Sequence, residues 1–210
     1  AAPRLTAVVV AHDGGPMLYD CVIALLESDY PRLDVVVVDN ASRDASTEVV
    51  GELELRRGGI ALLASPHNLG FAGGVNAGLA YAASRPGLQA EIYALVNQDC
   101  LVAPQWAEPM VETLGACPRV GMVGGRLWEA DGETLQHGGG VIHANGLTDH
   151  LGRGSKGSDH DSPLDVDYVC GALCALRRET WERFGPLDEG YYHAYFEEVD
   201  LCVRLRRAGL

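Results

Sequence analysis

Four short apolar runs, each followed by a segment with helical spacing of apolar residues, fill the first half of this 210-residue chain. A run that is apolar at nearly every position is typical of a strand covered on both faces. Their alternation with helices implies an α/β fold with a parallel sheet between two helical layers, because parallel neighbours need a crossover connection. The predicted strands are Thr6–Ala11, Leu33–Val38, Ile60–Ala64 and Ile92–Val96.

The helices between these strands are marked by turn residues as well as by periodicity. Pro16 suits the first turn of the first helix, and Pro31 follows its end. Gly58 and Gly59 terminate the second helix. The helices that follow the second, third and fourth strands are predicted at Ala45–Arg57, Ala72–Ser84 and Pro104–Ala116.

The pattern changes after Val120, and the chain shows no repeat or linker, which indicates one domain with two halves, 1–117 and 118–210. The segment His137–Ser162 is rich in Gly, His and Asp and is predicted as a long loop, a kind of segment that is often functional. The second half is predicted to contain strands at Val120–Leu127 and Tyr168–Leu176 and helices at Arg178–Phe184 and Glu197–Ala208.

Composition excludes several classes of protein. The chain has 16 Lys and Arg against 29 Asp and Glu, a net charge of −13, so it lacks the basic surface that nucleic acids need. Its apolar runs are far shorter than the roughly 20 residues that span a bilayer, so no transmembrane segment is expected. No charged leader followed by an apolar stretch opens the sequence, so no signal peptide is expected.

The six cysteines include no C-x-x-C pair, and only Cys170 and Cys174 lie close together. This spacing argues against a zinc site. It indicates reduced, buried thiols in a cytosolic protein.

Polar residues follow the predicted strands at the edge where ligands of parallel sheets bind. Asp39 ends the second strand, and Asn97 and Asp99 follow the fourth. Side chains at positions i and i+2 of an extended segment project the same way, and a carboxylate there could hold Mg²⁺ or Mn²⁺ through oxygen. The alternative is that Asp99 caps the next helix or closes a turn.

Two further segments are candidates for a site. Asn68–Gly74 opens a helix through flexible backbone whose amides could meet phosphate or ribose, although it matches neither a Walker A loop nor G-x-G-x-x-G. Glu197 and Glu198 are adjacent acids, and their repulsion could raise one pKa into the range of a general base. The alternative for this pair is an ordinary solvated helix N-terminus.

Taken together, five segments in this order resemble the family 2 glycosyltransferases, especially the bacterial rhamnosyltransferase-like branch. The resemblance covers nearly the whole chain. It implies a GT-A fold, a mostly parallel Rossmann-like sheet flanked by helices and merged with a mixed acceptor-binding half. The segments are Val35–Ser42 (VVVVDNAS), Asn68–Gly78 (NLGFAGGVNAG), Leu95–Asp99 (LVNQD), Gly171–Arg178 (GALCALRR) and Phe196–Gly209 (FEEVDLCVRLRRAG).

The resemblance also implies roles for single residues. Glu198, with Glu197 beside it, falls on the catalytic base, and Asp99 would be the ligand of a divalent cation, Mg²⁺ or Mn²⁺. The residues that would line the nucleotide-sugar pocket are Ala11, His12, Asp13, Asp39, Asn68, Gly70, Gly73, Asn97 and Gly171. Ala11, His12 and Asp13 stand where relatives usually have a Thr-Tyr-Asn type of sequence, and His12 could still stack on the base.

The implied activity is inverting transfer from a UDP-, dTDP- or GDP-linked sugar to a saccharide or lipid-linked acceptor, in cell-surface polysaccharide or glycolipid synthesis. The resemblance also implies a cytoplasmic location, which includes the inner face of the membrane. Relatives run on past the last helix to a histidine that helps hold the metal, so we expect a C-terminally truncated domain. A nucleotidyltransferase, or a nucleotide-sugar-binding domain without turnover, remains an alternative.

Overall fold

The computed structural model describes residues 1–156 and 162–210 and contains four parallel strands in its main sheet. These strands are β1 (Leu5–Ala11), β2 (Leu33–Asp39), β3 (Ile60–Ala64) and β4 (Ile92–Asn97), arranged in the order β3-β2-β1-β4. The helices that connect and cover them are α1 (Gly15–Leu26), α2 (Ser46–Arg57), α3 (Gly70–Ser84) and α4 (Ala107–Ala116). The predicted α/β fold is therefore confirmed, and the element boundaries shift by a few residues.

The second half contributes shorter elements. Its strands are β5 (Val123–Gly124), β6 (Leu127–Trp128), β7 (Leu135–His137), β8 (Gly140–Ile142), β9 (Thr148–His150) and β10 (Leu173–Arg177). Its helices are α5 (Arg178–Phe184) and α6 (Glu197–Arg207). β10 pairs antiparallel with β4 on one side and with β5 on the other, which extends the sheet to six strands and makes it mixed.

The two strands predicted for the second half are wrong in extent. The Val120–Leu127 segment holds only β5 and the start of β6, because the chain leaves the main sheet after Gly124 and β6 pairs with β7 instead. The Tyr168–Leu176 segment becomes β10 only from Leu173, because Gly171 and Ala172 form a turn. Tyr168 bridges to Gly140 in the neighbouring hairpin.

The long loop predicted at His137–Ser162 is also wrong, since β8 and β9 form an antiparallel hairpin within it. Gly146 adopts a φ of +83° at the tip, and the His143 N–H donates to the Leu147 carbonyl at 2.8 Å. Asn145-Gly146 is a common hairpin-turn dipeptide, so the sequence did carry a signal for this turn. His160, which the predicted loop included, lies outside the described residues.

The core forms one apolar layer on each face of the sheet. Side chains alternate along β1, so that Val9 packs with α1 and α4 while Val8 packs with α3 and α6. Within the described part of the chain, no helix combines the length and the apolar character needed to cross a membrane.

Gly78 allows α3 to lie directly on the sheet, because a Cβ there would be 2.5 Å from Val8 Cγ1 and 2.8 Å from Val38 Cγ2. Gly78→Ala is expected to lower the free energy of unfolding by about 1–3 kcal/mol, the usual cost of overpacking. The control is Gly51→Ala in α2, whose Cβ would meet only Leu62 Cδ2 at 3.7 Å. Gly51→Ala should raise stability by about 0.5–1 kcal/mol. Urea unfolding measures both, and equal effects would contradict this close packing.

Candidate active site

The loop that follows β1 is tied to the loop that follows β4. The His12 N–H donates to Gln98 Oε1 at 2.9 Å, and Gln98 Nε2 donates back to the His12 carbonyl at 3.2 Å. The His12 side chain is exposed, whereas the side chain of Ala11 is fully buried. Of these two predicted nucleotide contacts, only His12 therefore presents a side chain to solvent. Gln98, which ties the loops together, was not among the predicted site residues.

Asp13 and Asp39 both shape the turn after β2. Asp13 Oδ1 accepts the Arg43 N–H at 2.6 Å, and Asp39 Oδ1 accepts the Ser42 N–H at 2.8 Å. The other oxygen of Asp39 accepts the Thr47 hydroxyl at 3.3 Å. The half-buried Asp39 carboxylate thus closes the turn and keeps only its remaining lone pairs for a ligand.

Asn40 joins this turn to the start of α3 and was missed as a structural residue. It is 2% exposed, its Nδ2 donates to Asn68 Oδ1 and to the Gly70 carbonyl, and its Oδ1 accepts the Leu69 N–H at 2.8 Å. The Gly70 N–H donates to Asn68 Oδ1, and the Phe71 N–H donates to the His193 carbonyl. Three of the amides predicted to be exposed in Asn68–Gly74 are therefore already bonded within the protein.

Gly70 and Gly73 lie at the start of α3, where neighbouring atoms approach the backbone closely. Gly70 has a φ of +71°, and a Cβ there would lie 2.8 Å from the Tyr192 ring. A Cβ on Gly73 would lie 2.8 Å from Leu69 Cβ. Both glycines are buried. Gly70 allows the segment that precedes α6 to pack against the start of α3, whereas Gly73 leaves room for Leu69.

Asp99 lies in a turn at the end of β4, where the Cys100 N–H donates to the Asn97 carbonyl at 3.0 Å. It caps no helix, because α4 begins only at Ala107. Its carboxylate is exposed and, among residues 1–156 and 162–210, has no hydrogen-bond or ion-pair partner. Asn97, half-buried, uses its N–H to bind the Ala172 carbonyl at 3.0 Å.

An unpartnered carboxylate with an amide side chain two residues away offers the oxygen donors that Mg²⁺ and Mn²⁺ prefer. Within the described ranges, no three His, Cys, Asp or Glu side chains form a cluster that could hold a metal ion. Asp99 therefore fits a divalent cation only as one ligand among several, and the others would have to come from a bound diphosphate and water.

Glu198 is the second residue of α6 and faces the turn before β10. Its carboxylate accepts the Gly171 N–H, and a Cβ on Gly171 would make ordinary van der Waals contacts, at 3.7 Å from Glu198 Cδ and 3.5 Å from the Phe71 ring. Burial raises the pKa of Glu198, while backbone N–H groups and the nearby His150 oppose that rise. The interpretation of this acid as an ordinary solvated helix end is wrong, because the side chain is half-buried.

The turn before β10 links the two candidate acids. Its Ala172 carbonyl accepts the N–H of Asn97, two residues before Asp99, at 3.0 Å, and a Cβ on Gly171 would lie 3.7 Å from Glu198 Cδ. Burial raises the pKa of Cys170 beside this turn, the Ala172 N–H opposes the rise, and the charges of Glu198, Asp99 and Glu197 add to it. The fold therefore brings the end of β4 and the start of α6 to the same turn.

A pocket of about 90 Å³ adjoins Glu198. Thr148 and His150 of the β8–β9 hairpin form one wall, and Tyr195 and Phe196 form another. Thr148 and His150 were not among the predicted site residues, because the hairpin was predicted as part of a long loop.

Glu197 is 3% exposed, and its Oε2 has no hydrogen-bond partner among the described residues. Burial raises its pKa to about 7, and the charge of Glu198 adds to this, whereas the N–H groups of Glu197 and Tyr195 oppose it. The Tyr195 contact lies in a left-handed turn, since Tyr195 and Phe196 have φ values of 86° and 74°. Glu197 is thus buried next to Glu198 in the chain and is not open to solvent.

The raised pKa of Glu197 predicts a specific pH dependence of stability. The ordinary pKa of 4.5 applies in the unfolded state, so the unfolded chain ionises Glu197 at a lower pH than the folded protein does. The stabilisation of the folded state by the neutral side chain is fully present below pH 4.5 and is lost as pH rises to about 7. Glu197→Gln should abolish that loss, which the shift sets at about 3 kcal/mol. Urea titrations below and above this window measure it, with the exposed Glu182→Gln as control. Parallel pH profiles of wild type and Glu197→Gln would contradict the assignment.

Comparisons with known proteins establish the family and the fold of this chain. The sequence model of Glycosyl transferase family 2 matches residues 6–184. The chain is 30% identical to uncharacterized protein y4gI of Sinorhizobium fredii over 217 aligned residues, which cover 99% of this chain and 23% of that protein. It is 26% identical to an N-acetylglucosaminyl-diphospho-decaprenol L-rhamnosyltransferase of Mycobacterium tuberculosis, covering 98% of this chain and 71% of that enzyme.

Solved structures share the fold. A mannosyltransferase from Pyrobaculum calidifontis in complex with GDP-Man and Mn²⁺ superposes with a TM-score of 0.72 at 21% identity, over 100% of this chain and 53% of that one. GalNAc-T7 with UDP, GalNAc and Mn²⁺ superposes with a TM-score of 0.75 at 15% identity, over 99% of this chain and 41% of that one. Because these neighbours are GT-A glycosyltransferases, the fold is GT-A, as the resemblance implied. The family match, which spans most of the chain, establishes that this protein belongs to Glycosyl transferase family 2.

Proposed function

We propose that this chain is the catalytic part of an inverting glycosyltransferase that moves a sugar from a nucleoside-diphosphate donor to a hydroxyl of a saccharide or lipid-linked acceptor. The observation that carries the proposal is that two carboxylates lie near the turn at Gly171 and Ala172: Asp99, which has no partner among the described residues, and the half-buried Glu198. The activities named for the M. tuberculosis relative and for the P. calidifontis neighbour support this class of reaction. The chain spans only about half of the neighbouring structures, so the activity of the whole protein is part of the proposal.

The donor would occupy the edge formed by the carboxyl ends of β1, β2 and β4, where ligands of parallel sheets bind. The exposed ring of His12 offers a flat surface to the base, and Asp39 retains lone pairs for the base or ribose. The Asn68–Gly74 segment, with Gly70 and Gly73, would form the adjacent wall of the donor site. In this account residues 1–117 bind the donor and residues 118–210 bind the acceptor.

Glu198 would accept the proton of the acceptor hydroxyl as that oxygen attacks the anomeric carbon of the donor. Burial raises the pKa of Glu198, which improves the match between the base and a working pH near neutrality. The nucleoside diphosphate leaves from the opposite face, so the anomeric configuration inverts and no covalent intermediate is required. A divalent cation, held by Asp99 and the diphosphate, would stabilise the charge that develops on the leaving group.

Calorimetric titration with UDP, dTDP and GDP, with and without Mn²⁺, tests the donor side. We expect one of the three nucleotides to bind, and to bind more tightly with Mn²⁺. Release of that nucleotide from its sugar donor in the presence of saccharide acceptors then measures turnover. Binding without turnover for every acceptor would favour a nucleotide-sugar-binding domain, and a folded protein that binds none of the three nucleotides would contradict the proposal.

A further inference from the structure

His150 and His137 form a histidine pair behind the pocket of Glu198. Their Nδ1 atoms are 3.0 Å apart, and their rings meet edge to face with centroids 4.6 Å apart. His137 is 1% exposed, and its Nε2 has no hydrogen-bond partner among residues 1–156 and 162–210. Burial, together with the neighbouring His150, lowers the pKa of His137 to about 4, so His137 is neutral at physiological pH.

The pair has one favourable arrangement of protons. A neutral imidazole carries one N–H and one lone pair. If the proton of His137 were on Nε2, a buried N–H donor would lack a partner, which is rarer and more costly than an unmatched acceptor. The proton therefore belongs on Nδ1 of His137, which donates to Nδ1 of His150. His150 must then carry its own proton on Nε2.

His150 and Glu198 line the same pocket, and a positive charge on His150 would lower the pKa of Glu198. The other titratable groups that act on Glu198 come from three elements: Tyr168 and Cys170 before β10, Cys174 on β10, and Glu197 and Cys202 on α6. Each of these becomes negative or stays neutral, so none of them favours the Glu198 carboxylate. The pocket, at about 90 Å³, has room for a water or an acceptor hydroxyl between the two side chains.

We infer that His150 is a positioning residue for Glu198. Its tautomer is fixed by the buried His137, which leaves the Nε2–H as the donor that His150 can offer to the Glu198 carboxylate across the pocket. A hydrogen bond of this kind favours the ionised carboxylate and orients it towards the acceptor hydroxyl. The kinetic consequence rests on the proposed role of Glu198 as the base. The effect on the ionisation of Glu198 does not depend on that role.

The test measures the pKa of the Glu198 carboxyl by carbon NMR of glutamate-labelled full chain, with Glu198→Gln to assign the signal. His150→Phe keeps an aromatic ring against His137 but removes the N–H, and it should raise the pKa of Glu198 by about one unit. His150→Gln keeps an N–H donor and should cause a smaller rise. The control is His143→Gln on the same hairpin, an exposed residue that pairs with Asp149 at 2.7 Å and should leave the pKa unchanged.

Nitrogen NMR of the imidazole rings adds a second measurement on the unmodified protein. It should show His137 protonated on Nδ1 and His150 protonated on Nε2. The opposite tautomers, or an unchanged pKa of Glu198 in His150→Phe, would overturn the inference. If the pKa shifts as expected while Glu198→Gln retains full turnover, the histidine pair stands and the role of Glu198 as base fails.

Discussion

Replacement of Glu198 by glutamine is expected to lower kcat by about 100-fold or more, the usual contribution of a general base. Glutamine has nearly the same size and can still accept the Gly171 N–H, but it cannot take the proton of the acceptor hydroxyl. Donor binding should stay nearly unchanged, because Glu198 lies beside the pocket formed with the β8–β9 hairpin rather than at the ends of β1 and β2.

Steady-state kinetics with the matched donor, together with calorimetry of donor binding, measure the two effects separately. Glu182→Gln is the control, since Glu182 is an exposed glutamate on α5 that pairs with Arg178. If Glu198→Gln weakened donor binding strongly while turnover of bound donor survived, Glu198 would be a binding residue instead of the base.

The second large effect is expected at Asp99. Asp99→Ala should remove the gain in nucleotide affinity that Mn²⁺ provides, by about tenfold or more, since a loss of 1.4 kcal/mol already corresponds to a factor of ten. Stability should hardly change, because the Asp99 carboxylate is exposed and has no partner among the described residues. Affinity in the absence of metal should also be preserved.

Calorimetric titrations of wild type and Asp99→Ala with and without Mn²⁺ give this comparison directly. Asp20→Ala, which removes an exposed aspartate on α1, is the matched control for the loss of one negative charge. A metal-dependent affinity that persists in Asp99→Ala would exclude Asp99 as the cation ligand.

The parallel half of the fold could be predicted from the sequence because its signals are long and local. Strands such as Leu33–Asp39 are continuously apolar, and the turns after them carry Gly, Pro, Asn or Asp. Asp99 could be singled out for the same reason, since it directly follows a buried strand. That Asp99 has no partner among the described residues could not be predicted, because hydrogen bonds to a side chain depend on residues distant in sequence.

The second half of the chain was harder to predict because its strands β5–β9 are only two or three residues long. β8 and β9 have too few positions to show a periodicity, and their stability comes from pairing with each other and from the contact between Gly140 and Tyr168. The hairpin was therefore predicted as part of a long loop, and His150 was not among the predicted site residues. Asn40 was missed for a related reason, since its three side-chain hydrogen bonds all reach residues 68–70.

The anomeric configuration of the product tests the central claim most directly. The protein at its native length would be incubated with its matched nucleotide-sugar donor and a saccharide acceptor, and the new linkage examined by proton and carbon NMR. One base and one leaving group on opposite faces of the anomeric carbon require that the product have the configuration opposite to that of the donor. A product that retains the configuration of the donor would contradict the account, because retention needs a second displacement or attack from the face of the leaving group.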